Sequence, residues 1–216
     1  MRRSMLLLGS VIVVAYACTP AAETPGATDT GMAAGSVAAS MPAVGSDEWK
    51  IAAFTAAAPP AIGANAAVMD WPDSATGAMK ELRAGSNGWT CMPGTPSSQG
   101  VTTVDDTAPM CLDREWMSFI DAWMKKTTPK VSAPGVGYML KGDKGNSNKD
   151  PYATAPTADN DWVVSGPHVM FMEPDVKKLE ALSSDHRTGG PYVMWKGTPY
   201  AHIMVPLGGG MMGHPM

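Results

Sequence analysis

The chain is poor in several residue types that mark well-known activities. Of its 216 residues only three are cysteine, three phenylalanine and four histidine. Lysine and arginine number 16 against 20 acidic residues, and the two signs are interspersed for a net charge of −4. The basic stripe that neutralises nucleic-acid phosphate is missing, so no nucleic acid is expected as a partner. Neither a phosphate-binding glycine loop nor a dinucleotide fingerprint occurs, and no G-x-S-x-G elbow presents a serine nucleophile. The stretch "SSDHR" sets Ser184, Asp185 and His186 side by side. A catalytic triad needs convergence in space and an oxyanion hole, which adjacency does not provide. The residues lean away from an enzyme. No internal repeat is visible, and beyond the N-terminus no apolar run approaches the roughly 20 residues of a membrane-spanning helix.

What is present begins with "MRRSMLLLGSVIVVAYAC". Arg2 and Arg3 are followed by an apolar stretch from Met5 to Val14 and by small residues before Cys18, the pattern of an export signal over residues 1–17. The ending Ala15-Tyr16-Ala17-Cys18 resembles the lipobox of bacterial lipoproteins. That resemblance implies cleavage before Cys18 and lipidation of its sulfur, so that the membrane is a partner through the N-terminal lipid. Tyr16 departs from the small or aliphatic residue usual at its place, which leaves plain secretion or a retained anchor as alternatives. Thr19 follows the cysteine where an Asp would suggest inner-membrane retention, so the expected location is the outer membrane, facing the periplasm.

Residues 18–46 are nearly all Ala, Thr, Gly, Pro and Ser. They offer too little apolar surface to offset the entropy of ordering and read as a disordered tether. Its reach grows as about 5–6 Å times the square root of residue number. Residues 47–207 hold all seven tryptophans and make one domain. Residues 208–216, "GGGMMGHPM", form a flexible Gly/Met/His tail. In an oxidising compartment Cys91 and Cys111 are expected to form a disulfide across a turn-rich loop of about 20 residues; a metal pair or a catalytic thiol are the competing readings.

Within the domain, "LDREWMSFIDAWMKK" has Trp116, Phe119, Ile120, Trp123 and Met124 at helical spacing, with Asp113 as cap. "EPDVKKLEALS" suggests a second, short helix. Strands are expected in "GVGYMLKG", "DWVVSG", "PHVMFME", "PYVMWKG" and "YAHIMVPL", the last two joined by a turn at Gly197, Thr198 and Pro199. "NAAVMDWP" and "NGWTCMP" are weaker strand signals. The fold class that follows is α+β, an antiparallel sheet with one main helix packed across it.

Strand alternation gives the histidines a geometry. His168 and Met170 share one face of their strand, with Met172 two residues further on, and His202 and Met204 share a face of theirs. Adjacent strands would bring His168, Met170, His202 and Met204 together as a metal site, and imidazole with thioether suits copper. Methionine is abundant throughout, with 18 residues, and its ordinary role is to fill cores. A calcium site is a weaker alternative, drawn from the oxygen donors Asp143, Asn146, Asn148, Asp150, Asp159, Asn160 and Asp161, whose spacing does not match an EF-hand; Asn and Asp also build turns without any ion. The segments "DPYATAPTADNDW", "GPHVMFM" and "GGPYVMWKGTPYAHIMVP" resemble exported bacterial proteins, a likeness that brings no activity with it. Two functions remain: a tethered protein binding copper or a small ligand, or a structural subunit docking on an envelope or membrane-protein complex.

Overall fold

The computed structural model describes residues 42–72, 78–94 and 101–208. Ten strands and three helices follow one another as α1 (Asp47–Thr55), α2 (Pro60–Gly63), β1 (Ala67–Asp70), β2 (Lys80–Arg83), β3 (Thr90–Pro93), β4 (Pro109–Leu112), α3 (Arg114–Met124), β5 (Gly135–Met139), β6 (Asn146–Ser147), β7 (Trp162–Val163), β8 (His168–Met172), β9 (Tyr192–Met194) and β10 (His202–Pro206). Eight strands form one sheet in the order β2-β1-β3-β4-β5-β8-β10-β9, and β6 with β7 make a separate ribbon. The fold is mixed α and β with a large, mostly antiparallel sheet. The exception is β1, which runs parallel to β3.

Helix α3 starts where its sequence says it should. The Asp113 carboxylate accepts the Trp116 N–H at 3.0 Å, and its second oxygen accepts the Val136 N–H at 2.6 Å, tying the helix start to β5. Trp116 and Phe119 then face the sheet and are buried. Helix α1 is capped by the Ser46 hydroxyl, which accepts from Trp49 N–H at 3.2 Å, and carries Asp47 and Glu48 in its first turn, where negative charge suits the helix dipole.

The two helices take opposite faces of the sheet. Cys91 and Cys111 pack with Ala53 and Phe54 of α1, while their strand neighbours Met92 and Leu112 pack with Trp116 and Phe119 of α3. The helix expected across the sheet is therefore matched by a second one behind it. Cys91 lies directly opposite Cys111 in the β3–β4 ladder, and the two are joined by a disulfide. Two further expectations are revised. "DWVVSG" contributes only the two residues of β7, outside the main sheet. The short helix foreseen after Pro174 is a 3-10 turn over Val176–Leu179, capped by Asp175; it covers Val193 and Ile203 on the α1 side of β9 and β10. The turn between β9 and β10 is confirmed, with Thr198 N–H donating to the Trp195 carbonyl at 3.1 Å and Gly197 at a φ of 82°.

Candidate functional site

Strands β5, β8, β10 and β9 lie side by side under α3, and their register sorts the inward side chains into rows. One row runs Gly137, Met170, Met204, Tyr192. A second holds Gly135 with Met172, and His202 with Met194; one step from the Ile203–Phe171 pair, His202 also neighbours Met172. A third holds Met139, His168 and Pro206. Of the four residues expected to converge, Met170 and Met204 are direct partners. His168 and His202 sit at opposite ends of the shared face, four residues apart in register, or roughly 13 Å along the strand. All four are buried.

The glycines of β5 make this face possible. A Cβ at Gly137 would lie 2.9 Å from the Met170 ε-carbon and from a Leu112 methyl, and one at Gly135 would lie 3.0 Å from the Met172 ε-carbon and 3.1 Å from Trp116. The missing side chains leave a trough into which the thioether arms and the indole of α3 settle.

His202 stands in an aromatic enclosure. Trp195, Trp116 and Phe119 surround it at centroid distances of 5.0, 5.2 and 6.0 Å, each nearly perpendicular to the imidazole. Its Nδ1–H donates to the Tyr200 carbonyl at 3.0 Å. A carbonyl can only accept, so Nδ1 carries the hydrogen and Nε2 keeps its lone pair. Burial pushes the His202 pKa down to about 4, against the Tyr200 carbonyl, which raises it, and with help from the charge of His168. The ring is neutral at neutral pH.

A cleft of about 80 Å³ reaches this layer, bordered by Phe119, Met172, Pro199 and Ala201. A larger one of about 250 Å³ borders Trp49 and Phe54 of α1 and shares none of these residues.

His168 has different company. Its Nδ1–H donates to the Gly166 carbonyl at 2.7 Å. Burial lowers its pKa, opposed by the charge of Asp143; burial likewise raises the Asp143 carboxyl, opposed by His168. Asp143 is held by the N–H groups of Gly145 and Ser165, both at 2.9 Å. The oxygen-rich loop expected as a calcium site divides its labour. Asp143, Asn148 and Asp161 turn inward, and Asp161 accepts from Arg187 at 2.6 Å and from Asn148 at 3.0 Å. Asp150 and Asn160 close local turns by accepting from Tyr152 and Thr157 N–H, and Asn146 is exposed. Among the described residues no three His, Cys, Asp or Glu side chains gather as a metal-binding group.

The "SSDHR" residues have separate structural tasks. The Ser184 carbonyl accepts from Asn148, Asp185 caps a 3-10 turn, and His186 Nε2 lies 3.4 Å from Asp161. Cys18 and the tail from 209 onward lie outside the described residues. Sequence reasoning missed the enclosure around His202 and the flanking role of Met194. The missing information is strand order, because β9 follows β8 in the chain yet lies beyond β10 in the sheet.

No protein family model, no curated protein and no solved structure matches the chain.

Proposed function

We propose that the protein is a lipid-anchored envelope protein whose α3-side sheet face binds a soft metal ion, Cu(I), through His202 with Met172 and Met194. The observation that carries this reading is the row in which a neutral imidazole has a methionine on the strand at either side. Thioether and imidazole are the ligand types that Cu(I) prefers where thiolates are scarce. A ligating histidine commonly donates its other ring N–H to a carbonyl, as His202 does to Tyr200. Trp116 and Trp195 present aromatic groups at 5.2 and 5.0 Å from the imidazole, and an indole face attracts a cation. The small cleft at Met172 and Ala201 is the route of approach. Met204 remains on the same face as a further thioether, while Met170 and His168 stand progressively further from His202.

The test is a Cu(I) competition titration against a chelator. His202→Ala is expected to abolish tight binding, and Met172→Leu or Met194→Leu, which keep volume, to weaken it about tenfold or more. Deletion of residues 208–216 and the change His168→Ala should leave most of the affinity. Binding no tighter than micromolar by the unmodified protein, or loss on removing the tail alone, would sink the proposal.

One observation favours docking on an envelope complex as a second reading. On the α1 side of the sheet Val136 and Phe171 pair across β5 and β8, and Phe171 is 40% exposed. An apolar strip of that kind is where a partner would sit.

A further inference from the structure

Buried polar atoms in folded proteins nearly always have partners. Among the described residues seven buried side-chain nitrogen or oxygen atoms have no well-formed hydrogen bond within the chain, and five of them belong to one region: Asn148 Oδ1, Ser165 Oγ, His168 Nε2, His186 Nδ1 and Tyr192 Oη. None of these five residues is more than 7% exposed. They are also contiguous. Asp143 takes the Ser165 N–H and is coupled by charge to His168. The Ser165 hydroxyl lies near enough to the Asp143 carboxyl and the Tyr192 phenol to act on both, without a well-formed hydrogen bond to either, and burial, with the charges of Asp143 and Asp161, pushes the Tyr192 pKa up to about 12 against it. The Tyr192 ring lies 5.9 Å from that of His186, and Asp161 joins His186 to Asn148.

The chemistry of the five atoms narrows what meets them. His168 Nδ1 is committed to Gly166, so its Nε2 offers a lone pair. His186 Nε2 faces Asp161, so in the neutral ring its Nδ1 offers another. Asn148 donates both amide hydrogens, to Asp161 and Ser184, leaving an oxygen that can only accept. Ser165 and Tyr192 each have a hydrogen to give and a lone pair to fill. An anion would face the Asp143 carboxylate and three lone pairs. A metal would need ligands that do not gather here, and neither cleft borders these residues. Water both donates and accepts, and it is small.

We propose that at least two ordered water molecules are built into the fold at this place, between the ends of β8 and β9 and the 143–161 loop. One group of partners is Ser165, His168 and Tyr192, beside Asp143; the other is Asn148 and His186. A buried water makes about three hydrogen bonds, so five atoms call for more than one. On this assignment His168 belongs to a hydrated polar pocket and not to the metal layer around His202.

Magnetic relaxation dispersion of water nuclei counts long-lived internal waters, and a high-resolution crystal structure locates them. The full unmodified chain is expected to hold at least two, with density within hydrogen-bonding distance of His168 Nε2 and Tyr192 Oη. Tyr192→Phe and Ser165→Ala, which preserve packing, should each reduce the count by one. The proposal is overturned if the unmodified protein shows no long-lived water, if the five atoms are found bonded directly to one another, or if an anomalous signal identifies a metal in their midst. The measurements on the unmodified chain decide the matter even if a variant does not fold.

Discussion

A neutral, enclosed His202 ties the stability of the protein to pH. Its pKa is about 4 in the fold and 6.5 when free, so between those values the unfolded chain binds a proton that the folded chain refuses. Stability is fully present above pH 6.5 and is lost as pH falls towards 4, by roughly 3 kcal/mol for a shift of this size. His168, lowered by the same burial, acts in the same direction. Urea midpoints measured from pH 7 to pH 4 should fall accordingly, and His202→Phe should flatten the dependence. A profile unchanged by that substitution would show that another group carries it. At this scale the sequence was informative about alternation and silent about neighbours. His-x-Met in two strands could be read from spacing, but which methionine faces which histidine depends on a register set by strands far apart in the chain.

Among the elements, α3 was the most legible, because a cap, an apolar face and a run of aromatics at helical spacing agree. Helix α1 has a Ser46 cap and an acidic first turn, but its polar and apolar residues are poorly segregated and leave no clear stripe to read. Strand β4 has four residues, two of them Pro109 and Cys111, and declares itself only through its ladders with β3 and β5. The cap of α3 makes a prediction. Asp113→Ala removes the acceptor of Trp116 N–H and also orphans Val136 N–H, which should cost about 2 kcal/mol in a denaturation experiment. Asp113→Asn should recover only part of this, because its amide nitrogen meets one of the two donors as a second donor. Full recovery by Asn would mean that the link to β5 contributes nothing.

For the whole molecule the proposed organisation into signal, tether and domain makes a prediction about place. Cys18→Ser is expected to move the protein from the membrane to the soluble fraction on cell fractionation; persistent membrane association after that change, with the signal removed, would show that the lipid is not the anchor. The disulfide, whose cysteines are 20 residues apart, contributes about 3 kcal/mol on the chain-entropy account. The mixed fold class was legible from the strand count and one strong helix. The parallel β1–β3 pair and the inverted order of β9 and β10 were not, since both depend on which strand leaves the sheet and returns beyond a neighbour.

The order of strands also determines what the sheet shows to other polypeptides. A sheet edge with open N–H and C=O groups is a template for aggregation, and proteins blunt such edges with charge, brevity or a covering loop. The outer strand β2 is four residues long and reads Lys-Glu-Leu-Arg. At the far end β9 has three residues, and its outward amides are already taken: Val193 N–H donates to the Ser183 carbonyl at 2.8 Å, and just past the strand Trp195 N–H donates to the Asn148 carbonyl at 2.9 Å. The segments that enclose the polar pocket thus also close the edge of the sheet. A change that loosened the loop at Asn148 would open a strand to another copy of the chain, and the first symptom would be self-association before any loss of the core.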